Sequence, residues 1–75
     1  MTLNRITYDP NIMGGRACIR GMRIPVTVIL KLLAGGARRE EILAEYPDLE
    51  DEDIKQAIQY ATLLADDQYV MKVGP

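Results

Sequence analysis

A chain of 75 residues makes one domain, and a core of that size supplies only about 3–5 kcal/mol, so self-association or a partner is expected to contribute. With 48% hydrophobic residues it is not a disordered chain, no run of about 18 apolar residues offers a membrane span, and the first ten residues lack the basic-then-apolar pattern of a secretory signal. The net charge of −2 is small, histidine is absent, and the single cysteine, Cys18, excludes an internal disulfide, so a cytoplasmic location is expected.

In chain order, Leu3–Tyr8 alternates imperfectly between apolar and polar and reads as a short strand. Asp9-Pro10-Asn11 ends it in a turn, and Ile12-Met13 is expected to form one helical turn before Gly14-Gly15 releases the chain. Ala17–Arg20 and Arg23–Val26 then flank Gly21-Met22, a pattern that predicts a β-hairpin with a type II′ turn. In that register Ile19 lies opposite Ile24 and Arg20 opposite Arg23. Like charges facing one another repel, so the arginines require an anionic partner, either nucleic-acid phosphate or the protein's own carboxylates.

Pro25 suits the first turn of a helix, where its missing N–H is not needed. Val26–Ala34 follows as a helix that is apolar nearly all round, expected to be buried in a core or against a partner. Gly35-Gly36 stops it. A second helix is predicted over Arg39–Tyr46, ended by Pro47. After the link Pro47-Asp48-Leu49, a third runs from about Asp51 to Asp66, with Ile54, Ala57, Ile58, Ala61, Leu64 and Ala65 in one apolar stripe. Acids at residues 50–53 favour its start by opposing the positive end of the helix dipole. Two helices on a short link fit a helix-turn-helix unit. Gln68–Val73 reads as a last strand, whose mates would be the N-terminal strand, a second subunit or another protein. The expected fold is thus α+β and mainly α: a three-helix bundle of winged-helix or helix-turn-helix type, with an N-terminal strand and a hairpin, in one domain over residues 1–75.

Charge divides along the chain. Residues 1–39 carry seven basic side chains against Asp9, for +6, and residues 40–75 carry Lys55 and Lys72 against ten acids, for −8. A basic face awaits nucleic acid, or the two halves form surfaces for different partners, or they neutralise each other within the fold.

Asp9-Pro10, Gly14-Gly15, Ile19-Arg20-Gly21, Arg23-Ile24-Pro25-Val26, Glu40-Glu41-Ile42-Leu43, Tyr46-Pro47 and Asp53-Ile54, in that order, resemble the small prokaryotic proteins grouped as domain of unknown function 433, described as VapB-like antitoxins. The likeness extends over roughly residues 5–61. It implies a winged-helix-like three-helix domain that dimerises, and a gene paired with a PIN-like ribonuclease toxin. Ala17 and Met22 depart from the Pro and Thr common in that family, and Arg38 and Glu50 stand where Ser or Thr caps the second and third helices.

Enzyme chemistry is not expected: without histidine there is no imidazole base, Cys18 has no evident base partner, and the acids at 50–53 lack calcium-loop spacing. No cofactor or metal is expected. For duplex DNA the candidate contacts are Arg16, Arg20, Arg23, Arg38 and Arg39, with Gln56 and Gln59 on the predicted outer face of the third helix as adenine readers. The acids at that helix's start oppose such reading. For a protein partner the candidates are the outward Leu63 and the C-terminal Tyr69, Met71, Lys72 and Val73, Lys72 being suited to the metal-binding carboxylates of a PIN-like nuclease. The function expected is therefore a homodimeric, non-enzymatic antitoxin that neutralises a ribonuclease and represses its own operon. The alternatives are a protein-binding adaptor whose arginines pair with the acids at 50–53, or a free-standing transcription regulator.

Overall fold

A computed structural model describes residues 3–67. The two strands are β1 (Ile6–Tyr8) and β2 (Ala17–Ile19), and the three helices are α1 (Val26–Ala34), α2 (Arg39–Glu45) and α3 (Asp51–Asp67). The domain is α+β and mainly helical. The strands pair antiparallel with Ile6 opposite Ile19, Thr7 opposite Cys18 and Tyr8 opposite Ala17. The N-terminal strand thus finds its mate in β2; the predicted strand Gln68–Val73 lies outside the described residues.

Between the strands, the Asp9 carboxylate accepts the Asn11 N–H at 2.9 Å, as an Asx turn does. The single helical turn that follows spans Met13–Gly15, one residue later than the sequence suggests. It is left-handed, with φ of 51°, 68° and 85° at Met13, Gly14 and Gly15.

The predicted hairpin is reduced to its turn. Ile19 N–H donates to the Ile24 carbonyl at 3.0 Å and Cys18 bridges Pro25, so the expected register of Ile19 and Ile24 holds. Pro25 has no N–H with which to extend a ladder, and the chain passes straight into α1. The turn itself is centred one residue earlier than predicted. Met22 N–H donates to the Ile19 carbonyl at 2.8 Å, and φ is positive at both Arg20 (47°) and Gly21 (72°), the pattern of a type I′ rather than a type II′ turn. Arg20 is therefore a turn residue and does not face Arg23 across a sheet. Thr7 ties the turn to β1: its Oγ1 accepts the Gly21 N–H at 2.8 Å and donates to the Cys18 carbonyl at 3.3 Å.

α1 ends in a Schellman motif, with Gly36 N–H donating to the Leu33 carbonyl and Ala37 N–H to the Leu32 carbonyl. Gly36 sits at φ 97°, which a side chain would resist. Neither Arg38 nor Glu50 caps its helix through its own side chain. Instead the third residue of each helix reaches back: Glu41 accepts the Arg38 N–H at 2.7 Å and Asp53 accepts the Glu50 N–H at 2.8 Å, the reverse half of a capping box.

The core gathers Ile19, Val26, Ile29, Ile42, Leu49, Ile54 and Ala57 from every element except β1, whose Ile6 packs against it. On α1 only Val26 and Ile29 are fully buried, and Val28, Leu30, Leu32 and Leu33 are half-covered. On α3 the buried face is rotated away from the predicted apolar stripe. Asp53 and Gln56 join Ile54 and Ala57 inside, while Ile58 and Leu64 are 40% and 41% exposed.

Candidate functional site

The acid at the third position of α3, Asp53, is wholly buried and gathers contacts from across the chain. Arg20 grips it as a fork, Nε donating to Oδ1 at 3.0 Å and Nη2 to Oδ2 at 2.8 Å. The same Nη2 donates to the Asp48 carbonyl at 2.7 Å. Arg5 Nη1 reaches Asp53 Oδ1 at 3.1 Å and Glu50 Oε1 at 2.6 Å. Burial pushes the Asp53 carboxyl up, but the Arg20 fork, the Glu50 N–H and Arg5 together outweigh it and hold the group below the usual carboxylate range. The left-handed backbone at Arg20 has its explanation here, since the turn delivers the guanidinium to the start of α3. Of the two anionic partners that the paired arginines left open, Arg20 takes the protein's own carboxylate.

The other predicted DNA contacts have separate surroundings. Arg39 Nε meets Asp51 Oδ1 at 2.7 Å, and that hydrogen bond holds the Asp51 carboxyl below its ordinary value. Arg38 Nε lies 3.6 Å from Glu41. Gln56, expected on the outer face of α3, is 4% exposed. Its Oε1 accepts the Arg5 N–H and its Nε2 donates to Asn4 Oδ1, both at 2.9 Å, so it fastens the chain before β1 and cannot read a base. The error has a physical source: apolar periodicity gives polar side chains to solvent, whereas Asn4 and Arg5 satisfy this amide inside. Gln59 is half-buried. Arg16 and Arg23 are exposed, and neither has an ion-pair partner among the described residues. The structure therefore brings Arg20 to Arg5 and Asp53 and pairs Arg38 and Arg39 with acids of the same chain.

Of the predicted partner contacts, Leu63 is 39% exposed on α3; Tyr69, Met71, Lys72 and Val73 lie outside the described residues. A more defined surface lies where α1 passes the C-terminal half of α3. Ala17, Val26, Leu30, Tyr60 and Leu64 line a half-open, mostly apolar notch of about 280 Å³, bordered by Thr27 and by exposed Arg16. The Tyr60 hydroxyl lies 2.6 Å from that of Tyr8, their rings tilted with centroids 6.5 Å apart. That hydrogen bond, with burial, pushes the Tyr60 hydroxyl up to about 12. A second hollow, of about 440 Å³, is more open and counts Lys31, Glu41 and Glu45 among its lining residues. Sequence reasoning offered Leu30 as part of the apolar first helix, gave Arg5, Tyr8 and Tyr60 no site role, and placed Leu64 in the core. The signal was present in Asp53, Ala57, Tyr60 and Leu64, which recur at helical spacing.

Comparison with known proteins agrees with the likeness noted above. The family model described as "Protein of unknown function (DUF433)" matches residues 6–61. An uncharacterized protein, y4eO, from Sinorhizobium fredii (strain NBRC 101917 / NGR234) is 38% identical over 56 residues, which cover 75% of this chain but 25% of that protein. The crystal structure of a DUF433 member protein from Anabaena variabilis ATCC 29413 superposes with a TM-score of 0.78 at 38% identity, over 85% of this chain and 63% of that one. The chain thus spans about a quarter of the curated relative's length. Among the described residues no helix is long and apolar enough to cross a membrane.

Proposed function

The chain belongs to the DUF433 family, and from that membership and the geometry above we propose that it is a non-enzymatic protein-binding module of the antitoxin kind, which occupies and neutralises a PIN-like ribonuclease. The observation that carries this reading is the contrast between its arginines and its apolar side chains. Arg20, Arg38 and Arg39 are paired with acids of the same chain, while Tyr8, Leu63, Leu64 and Ile58 stand exposed. Three of the five arginines expected to contact DNA thus already have acidic partners within the chain, while apolar side chains are left open. Homodimerisation belongs to the same reading, because half-covered α1 has apolar area to bury.

One observation favours a second reading. Arg16 and Arg23 are exposed and without ion pairs among the described residues, so repression of its own operon would run through these two cations on phosphate, not through α3. Co-expression with a neighbouring gene for a small acidic-site nuclease, followed by co-purification and a ribonuclease assay, tests the first reading. A stable, inactive complex supports it, and two proteins that elute apart with the nuclease active overturn it. Anisotropy with duplex DNA from upstream of the gene tests the second. Binding that loses about one unit of salt slope for each arginine removed in Arg16→Ala/Arg23→Ala supports phosphate contact. Equal binding by wild type and variant removes it.

A further inference from the structure

We infer that the notch between α1 and the end of α3 is the docking site for a partner helix that presents a large apolar side chain and, one turn away on the same face, a carboxylate. The inference rests on the protein-binding reading above and names the chemistry of the partner at one place. Three observations carry it. The floor is apolar and only half-enclosed, with Leu30 half-covered and Leu64 41% exposed, and a groove between two helices accepts a third by taking side chains at helical spacing. Its lining includes Tyr60, whose hydroxyl is hydrogen-bonded to that of Tyr8, and Arg16; Tyr and Arg are residue types that concentrate binding energy at protein interfaces.

The third observation is charge. Arg5, Arg20, Arg38 and Arg39 each have an acid within 4 Å, whereas Arg16 and Arg23 have none among the described residues, and of these two Arg16 lines the notch. An unpaired guanidinium at the edge of an apolar groove selects a carboxylate by charge and by fork geometry. The chain's own residues 68–75 do not match this requirement, since Lys72 is their only charged side chain.

The test uses the ¹⁵N-labelled full chain and three capped, alanine-based helical peptides about fourteen residues long. The first carries Leu and Glu at i and i+4, the second Leu and Lys, the third Ala and Glu. At about 2 mM peptide, the first is expected to shift the amides of Ala17, Leu30, Tyr60 and Leu64. The second is expected to bind about fivefold more weakly, the scale of one exposed charge pair, and the third not to shift these amides. Arg16→Glu, at an exposed position, is expected to reverse the order of the first two peptides. Equal binding of the Glu and Lys peptides, or shifts confined to other residues, overturns the assignment. So does a change at these amides on removal of residues 68–75, or sedimentation showing a dimer that Arg16→Glu/Leu64→Glu dissociates. Nuclease binding that survives Arg16→Glu/Leu64→Glu overturns the notch alone, while a peptide order that holds without any nuclease binding overturns the functional reading alone.

Discussion

Asp53 shows how one polar side chain organises its neighbours. It is wholly buried, yet both of its oxygens are occupied by Arg20, Arg5 and the Glu50 N–H. Asp53→Asn keeps the shape and removes the charge, leaving two guanidinium groups without their shared anion. It is expected to lower stability by about 2 kcal/mol, less than for a fully buried pair because both arginines reach solvent, as read from urea unfolding. The depressed Asp53 carboxyl also sets a pH dependence. Its folded pKa lies below its unfolded value of about 3.9, so its stabilisation is complete above that value and is lost as pH falls through the folded pKa. Thermal melts should hold steady from about pH 7 to 5 and then fall below about pH 4, and the acid fall should be shallower in Asp53→Asn. Arg20 is under opposite demands, because its backbone is left-handed while its side chain is needed. Arg20→Ala loses the fork and keeps the strain, whereas Arg20→Gly loses the fork and relieves it. The glycine variant should therefore melt higher than the alanine variant, and both below wild type. This residue also shows where sequence reasoning stops. Gly21 suits the first centre of a type II′ turn as well as the second centre of a type I′ turn, and what selects between them is an ion pair to a residue 33 positions away.

At the scale of elements, the helices were legible because their ends are chemical. Pro25 opens α1, Gly35-Gly36 closes it, and Pro47 follows α2, and the observed bounds lie within a residue of those expected. Each signal acts through the local backbone, which a sequence displays directly. Gly36 illustrates the point: Gly36→Ala is expected to lower stability by about 1 kcal/mol, because its φ of 97° is resisted by any side chain. Gly35→Ala, at an ordinary φ of −83°, should change it much less. Urea unfolding of the two variants side by side checks this. The orientation of α3 was less legible. Its apolar stripe indicates a face to within a fraction of a turn, and the final rotation depends on whether Asp53 and Gln56 find partners inside. They find Asn4, Arg5 and Arg20, which neighbouring sequence does not reveal. Leu64, read as core, thereby becomes the wall of an open notch.

Across the whole molecule, the division into a basic half and an acidic half is substantially an internal matter. Arg5 joins Glu50 and Asp53, Arg20 joins Asp53, and Arg39 joins Asp51, so the cations of the first half hold the start of the third helix. Composition revealed the two totals but not that they meet. These links span long stretches of chain, 48 residues between Arg5 and Asp53 and 51 between Arg5 and Gln56. Closing such loops is entropically costly, and contacts of this separation are expected to form after the folding barrier. Asp53→Asn should accordingly speed unfolding by about thirtyfold, its 2 kcal/mol falling almost entirely on that rate, and leave folding nearly unchanged in stopped-flow measurements. The same separation orders events during synthesis. Arg5 and Arg20 are added to the growing chain well before Asp53, so residues 1–39 form a polycation until the acids of the second half follow. The acids that bring the arginines to rest arrive with the third helix, and the chain loses its charge in the same step in which it acquires its shape.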